Sequence, residues 1–191
     1  NMAIGHVRYS TTGESHIKNA QPFVVEYSRG GIAVAHNGNL VNAALLRAEF
    51  EAYGSIFQSS IDTEIFVHLI ASSQENSLVE RIISSLRRVK GSYSLLFLNE
   101  DTMIAARDPH GFRPLSLARL KGSWVVASET CAFDLIEAEY VREIEPGEVL
   151  VIDKNGLASY KPFDPAPYTP CVFEFIYFAR PDSKIFGANV Y

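Results

Sequence analysis

The sequence is poor in the residues and patterns that mark several classes of protein. Cysteine occurs twice in 191 residues, which excludes a disulfide-stapled scaffold and favours a reducing compartment. The 17 Lys and Arg residues are outnumbered by 22 Asp and Glu residues, and no basic stripe is present, so we expect no nucleic-acid binding. No apolar run approaches the ~20 residues of a membrane-spanning helix, so we expect no membrane association.

The sequence does have the composition of one large globular domain. Hydrophobic residues make up 47% and charged residues 20%, which is typical of folded soluble proteins and not of disordered chains. The chain opens on Asn1 instead of Met, which suggests that it is processed or cut. We therefore expect a domain that is incomplete at its start.

Residues 32–40 (IAVAHNGNL) form the central motif. The apolar run predicts a buried strand that stops at Asn37-Gly38, a pair that is common in tight turns with positive φ, and a helix is predicted from Leu40. An Asn amide beside a Gly N–H also forms a pair of donors that can hold the oxyanion of an attacked carbonyl. A plain corner between strand and helix is the alternative that these residues alone leave open.

Two charged residues flank this motif in sequence. Arg8 ends a predicted strand over residues 2–8, where its planar fork is suited to a carboxylate, although a structural ion pair is equally compatible. Asp62 opens a predicted helix over 62–72, where it suits a helix cap or the ammonium group of a ligand. His6 fits a packed or capping histidine at least as well as a catalytic base.

The remaining pattern predicts an α+β fold. Helices are expected at 40–53, 62–72 and 77–90, the last with a capping box at Ser77 and Glu80. Short strands follow at 93–98, 102–106, 115–118 and 124–128, then a short helix at 131–138 and two strands at 148–152 and 157–160. This order suggests a four-layer α-β-β-α sandwich.

The end of the chain has a different amino-acid composition. Four prolines between residues 162 and 170 predict an extended linker. Residues 171–178 (CVFEFIYF) then predict a dense aromatic strand whose apolar surface needs a partner. We divide the chain into a domain over 1–161 and, over 162–191, a linker with the start of a further domain, so we expect the chain to be incomplete at both ends.

Several motifs together resemble one family. Residues 5–11 (GHVRYST), 36–40 (HNGNL) and 62–64 (DTE) resemble the class II glutamine amidotransferases, whose domain has the N-terminal-nucleophile hydrolase fold. More narrowly, residues 107–115 (RDPHGFRPL), 128–132 (SETCA) and 171–183 resemble the amidophosphoribosyltransferases of purine biosynthesis.

The resemblance implies a site for L-glutamine. Arg8 would hold its α-carboxylate, Asp62 its α-ammonium group, and Asn37 with Gly38 the oxyanion. The family's nucleophile is an N-terminal cysteine whose own amino group serves as base. Asn1 cannot replace it and neither cysteine of this chain is N-terminal, so the resemblance implies that the chain by itself is inactive. The ammonia released would pass to a phosphoribosyltransferase domain that lies outside the chain.

The resemblance also bears on cofactors, assembly and location. It implies Mg²⁺ and, in some members, a [4Fe-4S] cluster with one ligand at the position of Cys171; a lone cysteine here also suits a buried apolar position, and no cluster is expected in the chain itself. A homo-oligomer in the cytoplasm, or in the plastid of a plant, is implied. Another class II amidotransferase, and a non-enzymatic module that binds glutamine or a partner, are the alternatives.

Overall fold

A computed structural model describes residues 2–8 and 16–191. The described residues form eleven strands and four α-helices in chain order. They are β1 (Phe23–Tyr27), β2 (Gly30–Leu40), α1 (Ala43–Ala52), α2 (Thr63–Ser72), α3 (Leu78–Arg88), β3 (Gly91–Leu98), β4 (Met103–Arg107), β5 (Ser116–Leu120), β6 (Ser123–Ala127), α4 (Cys131–Ile136), β7 (Glu139–Glu143), β8 (Val149–Asp153), β9 (Gly156–Tyr160), β10 (Lys184–Ile185) and β11 (Ala188–Asn189). None of the helices among these residues is long and apolar enough to cross a membrane.

A six-stranded antiparallel sheet with the strand order β1-β2-β3-β4-β8-β9 organises the fold. Helices α1, α2 and α3 pack against it through a large apolar core that includes Phe66, Leu95 and Ile82, all fully buried. The capping box of α3 is confirmed, because the Glu80 N–H donates to Ser77 Oγ while the Ser77 N–H donates to Glu80 Oε2.

A second core joins this sheet to a three-stranded sheet with the order β6-β5-β7. Ala105 and Leu150 of the large sheet belong to the same buried cluster as Leu117 of the small sheet. Since side chains alternate along a strand, one face of the large sheet serves the helices and the other serves the second sheet. The predicted α+β sandwich is confirmed, and α4 joins β6 to β7.

The central motif folds differently from the prediction. Residues 37 and 38 do not form a turn: β2 continues through them to Leu40, with Asn37 opposite Ser94 and Gly38 opposite Tyr93 on β3. The expected strand over 2–8 is also wrong, because these residues adopt no regular structure. The first helix accordingly begins at Ala43, three residues after its predicted start.

Two errors concern the second half of the chain. Strand β7 was not predicted, because residues 139–143 (EYVRE) are mostly polar, and the strand is held by backbone pairing with β5. The aromatic strand predicted over 171–178 is wrong as well: Glu174–Phe178 forms one turn of π-helix, a rare conformation that is common at functional sites.

Residues 107–115 form a loop that we call the anchor loop, and the end of the chain packs on it. The buried Arg107 guanidinium donates to the carbonyl oxygens of Arg113, Ile144 and Gly111. The Thr169 N–H donates to His110 O and the Cys171 N–H to Phe112 O, both within the hydrogen-bond range. The loop thus fixes the end of the proline-containing segment against the domain, while the proposed division of the chain at residue 162 stays a prediction.

Candidate functional site

One cavity of about 740 Å³ opens at the middle of β2. It is lined by all four of the residues predicted to bind substrate or stabilise charge: Arg8, Asn37, Gly38 and Asp62. These residues come from three separate parts of the sequence, and the fold brings them together. Cys171 is buried and free, and it is not among the described residues that line this cavity.

Strand β2 presents Asn37 and Gly38 to the cavity at its pairing with β3. Gly38 has a φ of +156°, and a side chain there would meet solid structure. A Cβ atom would overlap the Ser92 carbonyl oxygen and lie 2.7 Å from His36 Nε2. Only glycine fits this point of the strand, so the sequence signal of the Asn-Gly pair reflects close packing inside a strand.

Asp62 lies at the residue before α2, but it does not cap the helix. Its side chain makes no capping hydrogen bond; instead Oδ2 accepts from the Leu40 N–H at 2.8 Å, and Oδ1 lies 3.6 Å from His36 Nδ1. Burial alone would raise the pKa of this carboxyl, but the His36 imidazole and the Leu40 N–H together hold the pKa below its ordinary value. The carboxylate is therefore charged at neutral pH, and its side chain keeps 11% of its surface exposed.

The cationic side of the cavity comes from the segment before residue 9. Arg8 is half-buried and lines the cavity together with His6. The pKa of His6 is lowered, chiefly by burial and further by the charges of His36 and Arg8. His6 is thus neutral at pH 7, and Arg8 supplies the positive charge of this segment. The rest of the predicted motif, including Tyr9, lies outside the described residues.

Sequence reasoning missed the part played by His36. Its imidazole is 1% exposed and lies between the residues predicted to bind and those predicted to catalyse: Nδ1 faces Asp62, and Nε2 lies 3.3 Å from Ser92 O, beside Gly38. The residue type alone does not distinguish a functional buried histidine from a structural one. Its place two residues before a glycine in a strand is the only clue, because residues two apart share one face.

The cavity continues toward the end of the chain, where Arg113, Glu174 and Phe178 line it. Arg113 Nη1 and Glu174 Oε1 form a partly buried ion pair at 2.5 Å, and the guanidinium lies 4.5 Å from the centre of the Phe178 ring. Burial raises the pKa of Glu174 despite this arginine. The π-helical turn is thereby tied into the cavity wall.

Cys131 also lines the cavity, at the start of α4. Its thiol lies 3.8 Å from Glu129 Oε2, a carboxylate that also accepts from the Ser183 hydroxyl at 2.8 Å and the Arg180 N–H at 2.7 Å. The 128–132 motif therefore anchors the end of the chain through Glu129, whose carboxylate is also a neighbour of the Cys131 thiol.

The described part of the chain contains no complete set of metal ligands. Within residues 2–8 and 16–191, no three His, Cys, Asp or Glu side chains come together in a way that could hold a metal ion. Cys171 offers one thiol, whereas an iron–sulfur cluster is usually held by four thiolates. The described residues do not by themselves fit such a cluster.

The arrangement matches the chemistry of a free amino acid. A zwitterionic α-amino acid needs an anion for its ammonium group and a cation for its carboxylate, and the cavity offers Asp62 and Arg8. The Asn37 amide and the Gly38 backbone line the same cavity and can donate hydrogen bonds.

Comparison with known proteins gives a consistent result. The glutamine amidotransferase domain family matches residues 6–134. Among curated relatives, the chain is 53% identical over 191 residues to amidophosphoribosyltransferase 2, chloroplastic, of Arabidopsis thaliana, covering 100% of the chain and 34% of that protein. It is 48% identical over 190 residues to the amidophosphoribosyltransferase of Bacillus subtilis, covering 99% of the chain and 40% of that protein.

A solved structure agrees with these relatives. The glutamine phosphoribosylpyrophosphate amidotransferase of B. subtilis, complexed with ADP and GMP, matches with a TM-score of 0.92 and 47% identity. The match covers 97% of this chain and 40% of that one. The chain thus spans between a third and two fifths of the length of these relatives.

Proposed function

The chain belongs to the glutamine amidotransferase domain family, and from that premise we propose that it is the glutamine-hydrolysing part of an amidophosphoribosyltransferase. The observation that carries this proposal is the meeting of Arg8, Asp62 and the Asn37-Gly38 pair in one cavity. Relatives of that name are about half identical to the chain over its whole length, which supports the narrower assignment.

In the proposed reaction the cavity holds L-glutamine by its two charged groups. Arg8 binds the α-carboxylate and Asp62 the α-ammonium group, so the side-chain carboxamide extends toward Asn37 and Gly38. Attack by a thiolate on the carboxamide carbon moves a pair of electrons to the oxygen, which then accepts hydrogen bonds from the Asn37 amide and the Gly38 N–H. As this intermediate collapses, the nitrogen takes up the proton that came from the thiol, the C–N bond breaks and ammonia leaves; water then hydrolyses the remaining thioester to glutamate and restores the thiol. A single donor in such a hole contributes roughly 2.7–4 kcal/mol to the transition state.

The nucleophile is proposed to be a cysteine at the N-terminus of the longer protein. Its free amino group would take up the thiol proton. Cys131, the cysteine that lines the cavity, has the Glu129 carboxylate as its neighbour and is not assigned this role.

The longer protein is proposed to carry a phosphoribosyltransferase domain that uses the ammonia. There the ammonia would displace pyrophosphate from phosphoribosyl pyrophosphate, giving 5-phosphoribosylamine in purine biosynthesis, with Mg²⁺ bound in that domain. If a [4Fe-4S] cluster is present, Cys171 would supply one of its four thiolates. We also propose a homo-oligomer located in the cytoplasm, or in the plastid if the source is a plant, as the names of the Arabidopsis relatives suggest for those proteins.

The complete reading frame and one assay test this function. The frame is expected to encode a cysteine directly after the start or a propeptide, and a phosphoribosyl pyrophosphate loop downstream of residue 191. The protein expressed from it is expected to form glutamate from glutamine and to release pyrophosphate in step. A frame with neither feature, or a protein that binds glutamine without hydrolysing it, would overturn the proposal and favour a non-catalytic module.

A further inference from the structure

We infer that His36 is a positioning residue that holds the Asp62 carboxylate and the Gly38 backbone in fixed relation to each other. The inference rests on the proposed function, because it assigns a role to His36 within the same glutamine site. It is carried by the contacts of the buried imidazole, which touches structure on both sides of the cavity.

The first contact is with the binding side. Oδ1 of Asp62 lies 3.6 Å from His36 Nδ1, and Oδ2 accepts from the Leu40 N–H, so both carboxylate oxygens face strand β2. The Thr63 hydroxyl lies 3.5 Å from the same Nδ1. Without His36, the Oδ1 side of Asp62 would lose its imidazole neighbour, and the carboxylate would be less firmly fixed.

The second contact is with the donor side. His36 Nε2 lies 3.3 Å from the Ser92 carbonyl oxygen, which can only accept, so a hydrogen bond between them requires a proton on Nε2, and an attractive contact of Nδ1 with the Asp62 carboxylate requires one on Nδ1 as well. Ser92 O and His36 Nε2 are also the two atoms that would crowd a side chain at position 38. The imidazole therefore packs against the backbone that presents the proposed oxyanion donors.

Two further contacts hold His36 in place, the first through its backbone N–H and the second through its ring. The His36 N–H donates to Gln21 Oε1 at 2.7 Å, and the Phe66 ring meets the imidazole edge-on with 5.6 Å between centres. A ring fixed in this way can transmit its own position to both neighbours, which an exposed histidine could not.

Two substitutions separate the two contacts. His36→Gln keeps an amide nitrogen near the Nε2 position and loses the atom that faces Asp62. His36→Asn keeps a polar atom near the Nδ1 position and loses the contact with Ser92 O. The measurement is glutamine hydrolysis by the protein expressed from the complete reading frame, with kcat and KM determined separately and folding followed by thermal melting.

The two His36 substitutions are expected to change different kinetic constants. His36→Gln is expected to raise KM for glutamine about tenfold while kcat changes by less than about twofold, because ammonium binding is lost. His36→Asn is expected to lower kcat about tenfold with KM nearly unchanged, because the donors shift. Thr63→Val removes one hydroxyl at nearly constant volume and is expected to raise KM about threefold. It replaces the His36 variants in the test if one of them fails to fold.

The matched control is His68→Gln on the same helix as Thr63. His68 packs against Phe57 and lies 3.8 Å from Glu64 Oε1, away from the residues that line the cavity, and its loss is expected to leave both constants unchanged. If the wild-type protein hydrolyses glutamine and the folded His36 and Thr63 variants keep both constants, the inference is wrong and the proposed function stands. If the wild-type protein does not hydrolyse glutamine, both fail.

Discussion

The cavity on β2 and the anchor loop over residues 107–115 both bury charged side chains, but they use them differently. In the anchor loop the Arg107 guanidinium donates to three carbonyl oxygens and pairs with Glu143, and Asp108 accepts from the N–H groups of His110 and Phe112. In the cavity, Asp62 accepts from the Leu40 N–H, lies beside the His36 imidazole and also lines the cavity. A satisfied charge holds a fold together, whereas a charge with remaining capacity beside a cavity can bind a ligand.

The two regions differ most clearly in their aspartates, Asp62 in the cavity and Asp108 in the anchor loop. Burial raises the pKa of Asp108, although N–H groups and Arg107 oppose this effect. The pKa of Asp62 is lowered, since its polar neighbours outweigh its burial. Both aspartates belong to motifs that are equally conspicuous in the sequence. Only the surroundings in the folded chain show that Asp108 supports the fold and that Asp62 lines the cavity.

The largest effect is expected in the anchor loop. Arg107→Ala should lower the free energy of unfolding by about 3–5 kcal/mol, because three carbonyl oxygens and the Glu143 carboxylate lose their buried partner. Urea denaturation measures this loss. Arg119→Ala, on an exposed arginine of β5, is the control and should change stability by less than about 1 kcal/mol. Similar losses of unfolding free energy in the two variants would show that Arg107 stabilises the fold no more than an exposed arginine does.

The next largest effect is expected at Gly38. Gly38→Ala should lower kcat for glutamine hydrolysis by about 10²–10³-fold, since the new Cβ displaces the Ser92 carbonyl or the His36 ring and shifts the proposed donors. The assay uses the protein from the complete reading frame. Gly31→Ala on the same strand has no heavy atom within 4 Å of its Cβ, and full activity is expected there. Normal kcat in the Gly38 variant would show that this backbone does not take part.

A smaller effect is expected for Asp62→Asn. The amide keeps the shape of the side chain but loses its charge, so KM for glutamine should rise about tenfold or more in a variant that thermal melting shows to be folded. Glu26→Gln, on the edge strand β1, provides a carboxylate control outside the cavity lining. Unchanged KM with Asp62→Asn would contradict the assignment of the ammonium-binding role.

The pH dependence of stability should separate the two aspartates by sign. A lowered pKa means that Asp62 contributes stability above its ordinary value of 3.8, which is lost as pH falls through the lowered pKa. A raised pKa means that Asp108 contributes stability below 3.8, which is lost as pH rises through the raised pKa.

Urea unfolding of Asp62→Asn and Asp108→Asn between about pH 3 and pH 7 measures these contributions. The stability gap between wild type and variant should widen with rising pH for Asp62→Asn and narrow for Asp108→Asn. Gaps that change in the same direction would show that the two environments do not differ as described.

The smallest effect is expected for Cys131→Ser. If the nucleophile lies at the N-terminus of the longer protein, this change should leave kcat within about twofold of wild type, since Cys131 then takes no part in the attack on glutamine. A loss of about 10³-fold or more would make Cys131 the nucleophile and replace the proposed mechanism.

Local patterns predicted much of the fold. The capping box at Ser77, the apolar spacing of α2 and α3, and the tight turns between short strands are set within a few residues, and all are confirmed. Strand β7 was missed because its polar residues are held by pairing with β5, which no local pattern encodes. The π-helical turn was missed for a similar reason, since Glu174 is drawn to Arg113, 61 residues away in sequence.

The site was predicted by residue type but not by geometry. Arg8, Asn37, Gly38 and Asp62 share a cavity as expected, yet Asn37-Gly38 lies inside a strand and Asp62 does not cap its helix. A glycine with positive φ indicates a turn in most sequences, and here it reflects the closeness of β3 and of His36. Contacts of that kind join residues far apart in sequence, so only the folded chain shows them.

Calorimetric titration of L-glutamine into the folded 191-residue chain measures whether this cavity binds the amino acid. We expect one molecule to bind per chain, with an affinity that is weakened about tenfold or more by Arg8→Ala and by Asp62→Ala and is unaffected by Arg119→Ala. A folded chain that binds no glutamine, or variants of Arg8 and Asp62 that bind it as well as the wild type, would contradict the assignment of this cavity as the glutamine site.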